Sequence, residues 1–166
     1  MKALFRSLQA VTAAGLVVGA VSAHAYDPKA TIADLDGRLA KIGAPKVEGT
    51  DTVAGKTVPA LYFGERKINN NFDVVDAVRK QHNATATVFV KDGEEFVRVS
   101  TNVLTPEGKR GVGTVLARNA AYEAVSKGQQ YCGPIDVLGT AFDACYNPIR
   151  DGSGKIIGVS YIGHKK

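Results

Sequence analysis

The chain has 166 residues, with 21 Lys and Arg against 16 Asp and Glu and a formal net charge of +5 at neutral pH. That length suits one domain around a single core. The basic residues are scattered apart from the Lys165-Lys166 tail, and no Arg-rich helix or aromatic RNA-binding signature accompanies them, so the pattern excludes a nucleic-acid partner.

Residues 1–25 read as a cleaved export signal. Lys2 and Arg6 form a basic start, Leu8 to Val21 an apolar stretch, and Ala23-His24-Ala25 a small-x-small cleavage pattern. The stretch is too short and too rich in Ala and Gly for the roughly 20 apolar residues that span a bilayer, so no transmembrane anchor is expected after cleavage. The expected location is the periplasm or the secreted space. There, an oxidising environment lets Cys132 and Cys145 pair. Their spacing fits neither a Cys-x-x-Cys redox motif nor a zinc site.

Residues 26–58 are expected to hold an N-terminal helix and a linker, and residues 59–166 the main domain. Ile32, Leu35 and Leu39 recur at helical spacing across Asp27 to Ile42. Asp27-Pro28 supplies a cap followed by Pro at the first helical position, and Gly43 with Pro45 ends the run. Lys46 to Pro59 is turn-rich and polar, and Ala60 to Gly64 is a short apolar strand or buried loop. A second helix is predicted over Phe72 to His82, with Val74, Val75 and Val78 as its apolar stripe.

The sheet follows. Thr85 to Val90 and Phe96 to Val103 are rich in β-branched and aromatic residues and flank the turn signal Asp92-Gly93. Alternation places Phe96, Arg98 and Ser100 on one face. Val115 to Lys127 reads as a helix ended by Gly128. Tyr131 to Val137 and Thr140 to Ile149 form a hairpin, and Ile156 to Ile162 the last strand. A turn centred between Leu138 and Gly139 sets Cys132 opposite Cys145, a register suited to a cross-strand disulfide. The same register gathers Tyr131, Ile135, Phe142 and Tyr146 on the other face, which becomes the expected pocket wall.

Nothing assembles an acid, a base and a nucleophile, so an enzyme is not expected. Ser100 lacks the G-x-S-x-G context, no Walker A or dinucleotide fingerprint is present, and His82 and His164 have no ligand-spaced partners. No cofactor or metal is expected.

Several blocks of the chain resemble the Cache 3/Cache 2 fusion family of single Cache domains. They are Pro59-Ala60-Leu61-Tyr62-Phe63-Gly64, Ala86-Thr87-Val88-Phe89-Val90-Lys91-Asp92-Gly93, Phe96-Val97-Arg98-Val99-Ser100-Thr101, Tyr146-Asn147-Pro148-Ile149-Arg150-Asp151 and Gly154-Lys155-Ile156-Ile157-Gly158. The resemblance implies an α+β, PAS-like antiparallel sheet of five to six strands behind a long N-terminal helix, with a helical insertion between strands two and three. It implies an extracytoplasmic small-molecule sensor with a cavity between the sheet and that insertion, here Leu104 to Gln130. A homodimer through the N-terminal helix is compatible with it. Where family members often carry Tyr-x-Thr-x-Tyr, this chain has Phe142-Asp143-Ala144-Cys145-Tyr146, which removes two hydroxyls.

The expected ligand is a small organic acid, and the expected partner a membrane receptor or transporter. Arg98 is the sharpest candidate anchor, because a guanidinium beside Ser100 suits a carboxylate. Arg118 and Tyr122, four apart on the insertion, are expected to close over the ligand, and Tyr131, Phe142 and Tyr146 to line it. The alternative is a pocketless interaction protein that docks a partner through its sheet or first helix.

Overall fold

The computed structural model describes residues 26–166; the expected export signal lies outside the described residues. Helix α1 spans Pro28–Ile42, and the Asp27 carboxylate accepts from the backbone amides of Lys29 and Ala30 as expected of a cap. Its buried stripe is Thr31, Ile32, Leu35 and Leu39. Strands β1 (Pro45–Val53), β2 (Lys56–Phe63) and the short β3 (Arg66–Lys67) form a three-stranded antiparallel sheet. Helix α2 covers Asp73–His82.

The main sheet contains β4 (Thr85–Asp92), β5 (Glu95–Thr101), β6 (Tyr131–Val137), β7 (Thr140–Arg150) and β8 (Ile156–Lys165) in the order β5-β4-β8-β7-β6. Helix α3 (Ala120–Ser126) lies in the connection between β5 and β6. This is the α+β, PAS-like layout with its insertion between the second and third strands of the main sheet.

The polar stretch expected as a linker is instead the β1–β2 hairpin. It turns at Ala54 and Gly55, both at positive φ, the geometry of a tight hairpin turn. Strand β1 exposes most of its length and buries only Val53, so no apolar alternation announces it. The insertion helix is also shorter than expected. Residues 112–116 run alongside β5 instead: the Arg98 amide donates to Thr114, the Leu116 amide to Phe96, and Val97 bridges Val115. Asn119 then caps α3, accepting from the amides of Ala121 and Tyr122.

The β6–β7 hairpin has the expected register. Cys132 pairs with Cys145, Tyr131 with Tyr146 and Ile135 with Phe142, and the disulfide is formed. The turn residues Leu138 and Gly139 both sit at positive φ.

The sheet divides two cores. On one face, α1, α2 and β2 cover Ala86, Val88, Val90, Val97, Val99, Cys145 and Ile162. On the other, the insertion covers Phe89, Phe96, Phe142, Ala144, Tyr146, Val159 and Tyr161. Strand β8 is central, and at Gly158 a Cβ would fall 2.3 Å from the Phe89 carbonyl oxygen of β4. That oxygen belongs to backbone within the ladder and cannot yield cheaply. Gly158→Ala is therefore expected to cost about 1–3 kcal/mol, read as a lower urea midpoint; an unchanged midpoint would show that the ladder adapts.

Candidate functional site

The insertion-side core holds a charge. Arg98 projects from β5 and is only 3% exposed. Its Nη1 donates to the Thr114 hydroxyl and to the Val115 carbonyl, both at 2.9 Å. The guanidinium lies over the Phe89 ring at 4.8 Å, an attractive but weak arrangement. Its Nε has no hydrogen-bond partner, and among the described residues no carboxylate pairs with it. Burial pushes the guanidinium below the usual arginine range. An unpaired charge held this way is costly, since desolvation is offset by only two hydrogen bonds and one ring face.

Two buried tyrosines share this interior. Tyr146 of β7 is 1% exposed and packs 4.8 Å from Tyr161 of β8. Burial raises both phenols well above the ordinary tyrosine value, while the nearby Arg98 charge pulls the other way. The Tyr161 hydroxyl meets that of Thr85 at 3.1 Å, whereas no hydrogen bond is made by the Tyr146 hydroxyl among the described residues. Phe89, Phe96, Leu116 and Phe142 fill the remaining space.

The sequence-predicted residues do not form one cluster. Arg98 and Tyr146 share the interior, whereas Phe142 sits further along β7, opposite Lys165 and beside Gly163, away from the guanidinium. Tyr131 lies half-buried at the hairpin edge, its ring 6.2 Å from Tyr146 and its hydroxyl donating to Pro134. Tyr122 sits over Phe96 at 5.9 Å and its hydroxyl donates to Glu94 at 2.7 Å, so it closes the side of the core. Arg118 is on the surface, ahead of α3 and not within it. There it pairs with Glu95 at 2.7 Å and stacks on Tyr122.

Ser100 does not share the Arg98 face. Strand β5 carries a bulge where Phe89 pairs with Arg98 and Val88 with Ser100. The extra residue, Val99, breaks the alternation. Ser100 therefore turns to the helical side, where its hydroxyl donates to the Asn71 carbonyl at 2.5 Å. Sequence reasoning also missed Phe89, Tyr161 and Thr114, because their approach to Arg98 depends on strand order and on the path of the insertion. His82, for which the sequence shows no partner at metal-ligand spacing, hydrogen-bonds instead across the fold, its Nε2 lying 2.9 Å from Asp34 on α1. Burial would raise that carboxyl, but the hydrogen bonds of Arg38 and His82 outweigh it and hold Asp34 below the usual carboxylate range.

A cavity of about 440 Å³ opens on the helical side. Leu39 and Ala40 of α1, Pro45, Phe63, and Pro148 to Arg150 of β7 line it together with Asp36.

No curated protein matches the sequence. Among solved structures, the sensor domain of Escherichia coli DcuS aligns with a TM-score of 0.41 and 22% identity, over 55% of this chain and 63% of that one. The alignment thus spans less than two thirds of the DcuS structure. The model of the Cache 3/Cache 2 fusion domain matches residues 35–166, from within α1 through the last strand of the sheet. The chain belongs to the Cache 3/Cache 2 fusion domain family.

Proposed function

We propose that this sensor domain recognises a small organic acid through Arg98 and acts with a membrane signalling or transport partner. The observation that carries the reading is the buried Arg98 guanidinium with an unpartnered Nε and no counter-ion among the described residues. A carboxylate would supply the missing acceptor and the missing charge together. Tyr146 adds a hydroxyl beside it. Export to the periplasm or beyond fits the disulfide. Among the described residues, no helix is long and apolar enough to cross a membrane.

The route to Arg98 runs past Val115 and Leu116, the extended part of the insertion. Three backbone hydrogen bonds and two from the Arg98 guanidinium tie this segment to β5, so admitting a ligand by this route requires it to break them and move outward. The closed packing of Phe89, Phe96, Leu116 and Phe142 favours a second reading, in which the interior never opens and the domain works by docking a partner.

Thermal unfolding of the full chain with a panel of small carboxylates, for wild type and Arg98→Met, separates the two. A carboxylate at about 100 times its dissociation constant adds about 2.7 kcal/mol. In Arg98→Met the shift is expected to vanish, while ligand-free stability changes by only about 1 kcal/mol, because the lost hydrogen bonds and the relieved burial of charge nearly offset. No shift with any carboxylate, or a loss of several kcal/mol in the ligand-free variant, would make Arg98 a structural residue and favour the docking reading.

A further inference from the structure

The helical-side cavity contains a carboxylate that the acid-binding reading does not use. Asp36 points from α1 toward the sheet. Its Oδ1 accepts from the Ser160 hydroxyl at 2.5 Å and its Oδ2 from the Asn147 amide at 2.6 Å. Both donors are neutral, and among the described residues no cation pairs with Asp36. A carboxylate has about four acceptor sites, so two remain available, and Asp36 is part of the cavity lining. Burial pushes the Asp36 carboxyl up, and its two donors only partly oppose this.

The rest of the lining has a defined chemistry. Leu39, Ala40, Phe63, Pro148 and Ile149 make it largely apolar, and about 440 Å³ is the size of a small-molecule site. The cavity also lies against the C-terminal end of α1, where free carbonyls favour positive charge. Arg150 is the other charged group in the lining. Its Nη1 and Nη2 are directed to the carbonyls of Gly154 and Gly128 at 2.9 and 3.3 Å, so its donors are turned to the backbone.

We infer that this cavity is a second ligand site, which takes a small amine with an apolar body and holds its ammonium group on Asp36. The site is separate from Arg98, which lies on the opposite face of the sheet. Its ligand would rest directly on α1. Through Asp36 it would also touch a polar chain that continues from Asn147 to Gln130, whose side-chain amide donates to Asn147 at 2.6 Å. Gln130 is the last residue of the connection that leads into β6.

The test is a thermal-shift comparison at fixed pH and ionic strength, with isoamylamine and cyclohexylamine against isovalerate and leucine. The proteins are wild type, Asp36→Asn, Ala40→Phe and Arg98→Met. Ala40→Phe starts from the exposed side of α1 and fills the cavity without touching the Asp36 hydrogen bonds. The expected result is a midpoint rise of about 3 °C or more with the amines at ten times their dissociation constant. The rise should disappear in Asp36→Asn and Ala40→Phe and persist in Arg98→Met. Absence of an amine response in wild type, its survival in Asp36→Asn, or a response to leucine alone would overturn the assignment. Because the acid-binding reading is tested by carboxylates and Arg98→Met, either can fail without the other.

Discussion

Replacing both cysteines, as Cys132→Ser with Cys145→Ser, is expected to lower stability by about 2–5 kcal/mol. The bond joins residues 13 apart in sequence across the β6–β7 pair. Closing a loop of that size reduces the freedom of the unfolded chain by about 3 kcal/mol on a chain-entropy estimate. The native state has its own reason to need the bond. Strand β6 is the edge of the sheet and pairs only with β7. Of its seven residues only Val137 is fully buried, and Pro134 offers no amide to the ladder. Burial alone therefore holds β6 weakly, and the covalent link fixes its register. Urea denaturation of wild type, reduced wild type and the double variant reads the effect. The reduced protein and the variant should shift together. Coincident midpoints for all three would mean that packing of Tyr131 and Ile135 already secures the strand.

Leu35→Ala is expected to cost a similar amount, about 2–5 kcal/mol. Leu35 is fully buried at the centre of the α1 stripe, between Ile32 and Leu39. It packs in the core formed with the sheet and α2, where nothing small can collapse into the space it leaves. Beyond the rest of the apolar stripe, Ile32 and Leu39, α1 is attached by polar contacts: Asp34 to His82, and Asp36 to Ser160 and Asn147. They fix its rotation more than its affinity for the sheet. Hydrogen exchange distinguishes local from global loss. In Leu35→Ala, protection of the α1 amides should fall further than that of β8 amides. Equal losses across both would mean that α1 and the sheet unfold as one unit.

Much of this molecule was legible from residue order. The α1 stripe, the Asp27 cap, helix α2, the two hairpins of the main sheet and the Cys132–Cys145 pairing all follow from local periodicity and turn chemistry. Such features need only neighbours within a turn or a strand pair. The β1–β2 hairpin was not legible, because its first strand is solvated and carries no apolar alternation. The length of α3 was not legible either. Val115 and Leu116 fit the predicted helical pattern, but hydrogen bonds to the free edge of β5 draw residues 112–116 into an extended path.

The candidate site divides in the same way. The choice of Arg98 and the aromatic face of β6–β7 came from residue type and register. The sequence could not show that Ser100 turns away, because one bulge at Val99 reverses every later side chain on β5. Nor could it show Tyr161 beside Tyr146, which depends on β8 being placed between β4 and β7, or Asp36 beneath α1 with only neutral donors. The sequence by itself determined the family, most of the elements and the disulfide register, and it singled out Arg98, since each is written in short-range pattern. The tertiary structure decided whether that arginine has a counter-ion, what fills the space around it and where a cavity opens on the helical side. Those outcomes depend on which surfaces the strand order and the insertion bring together, and no local pattern encodes that.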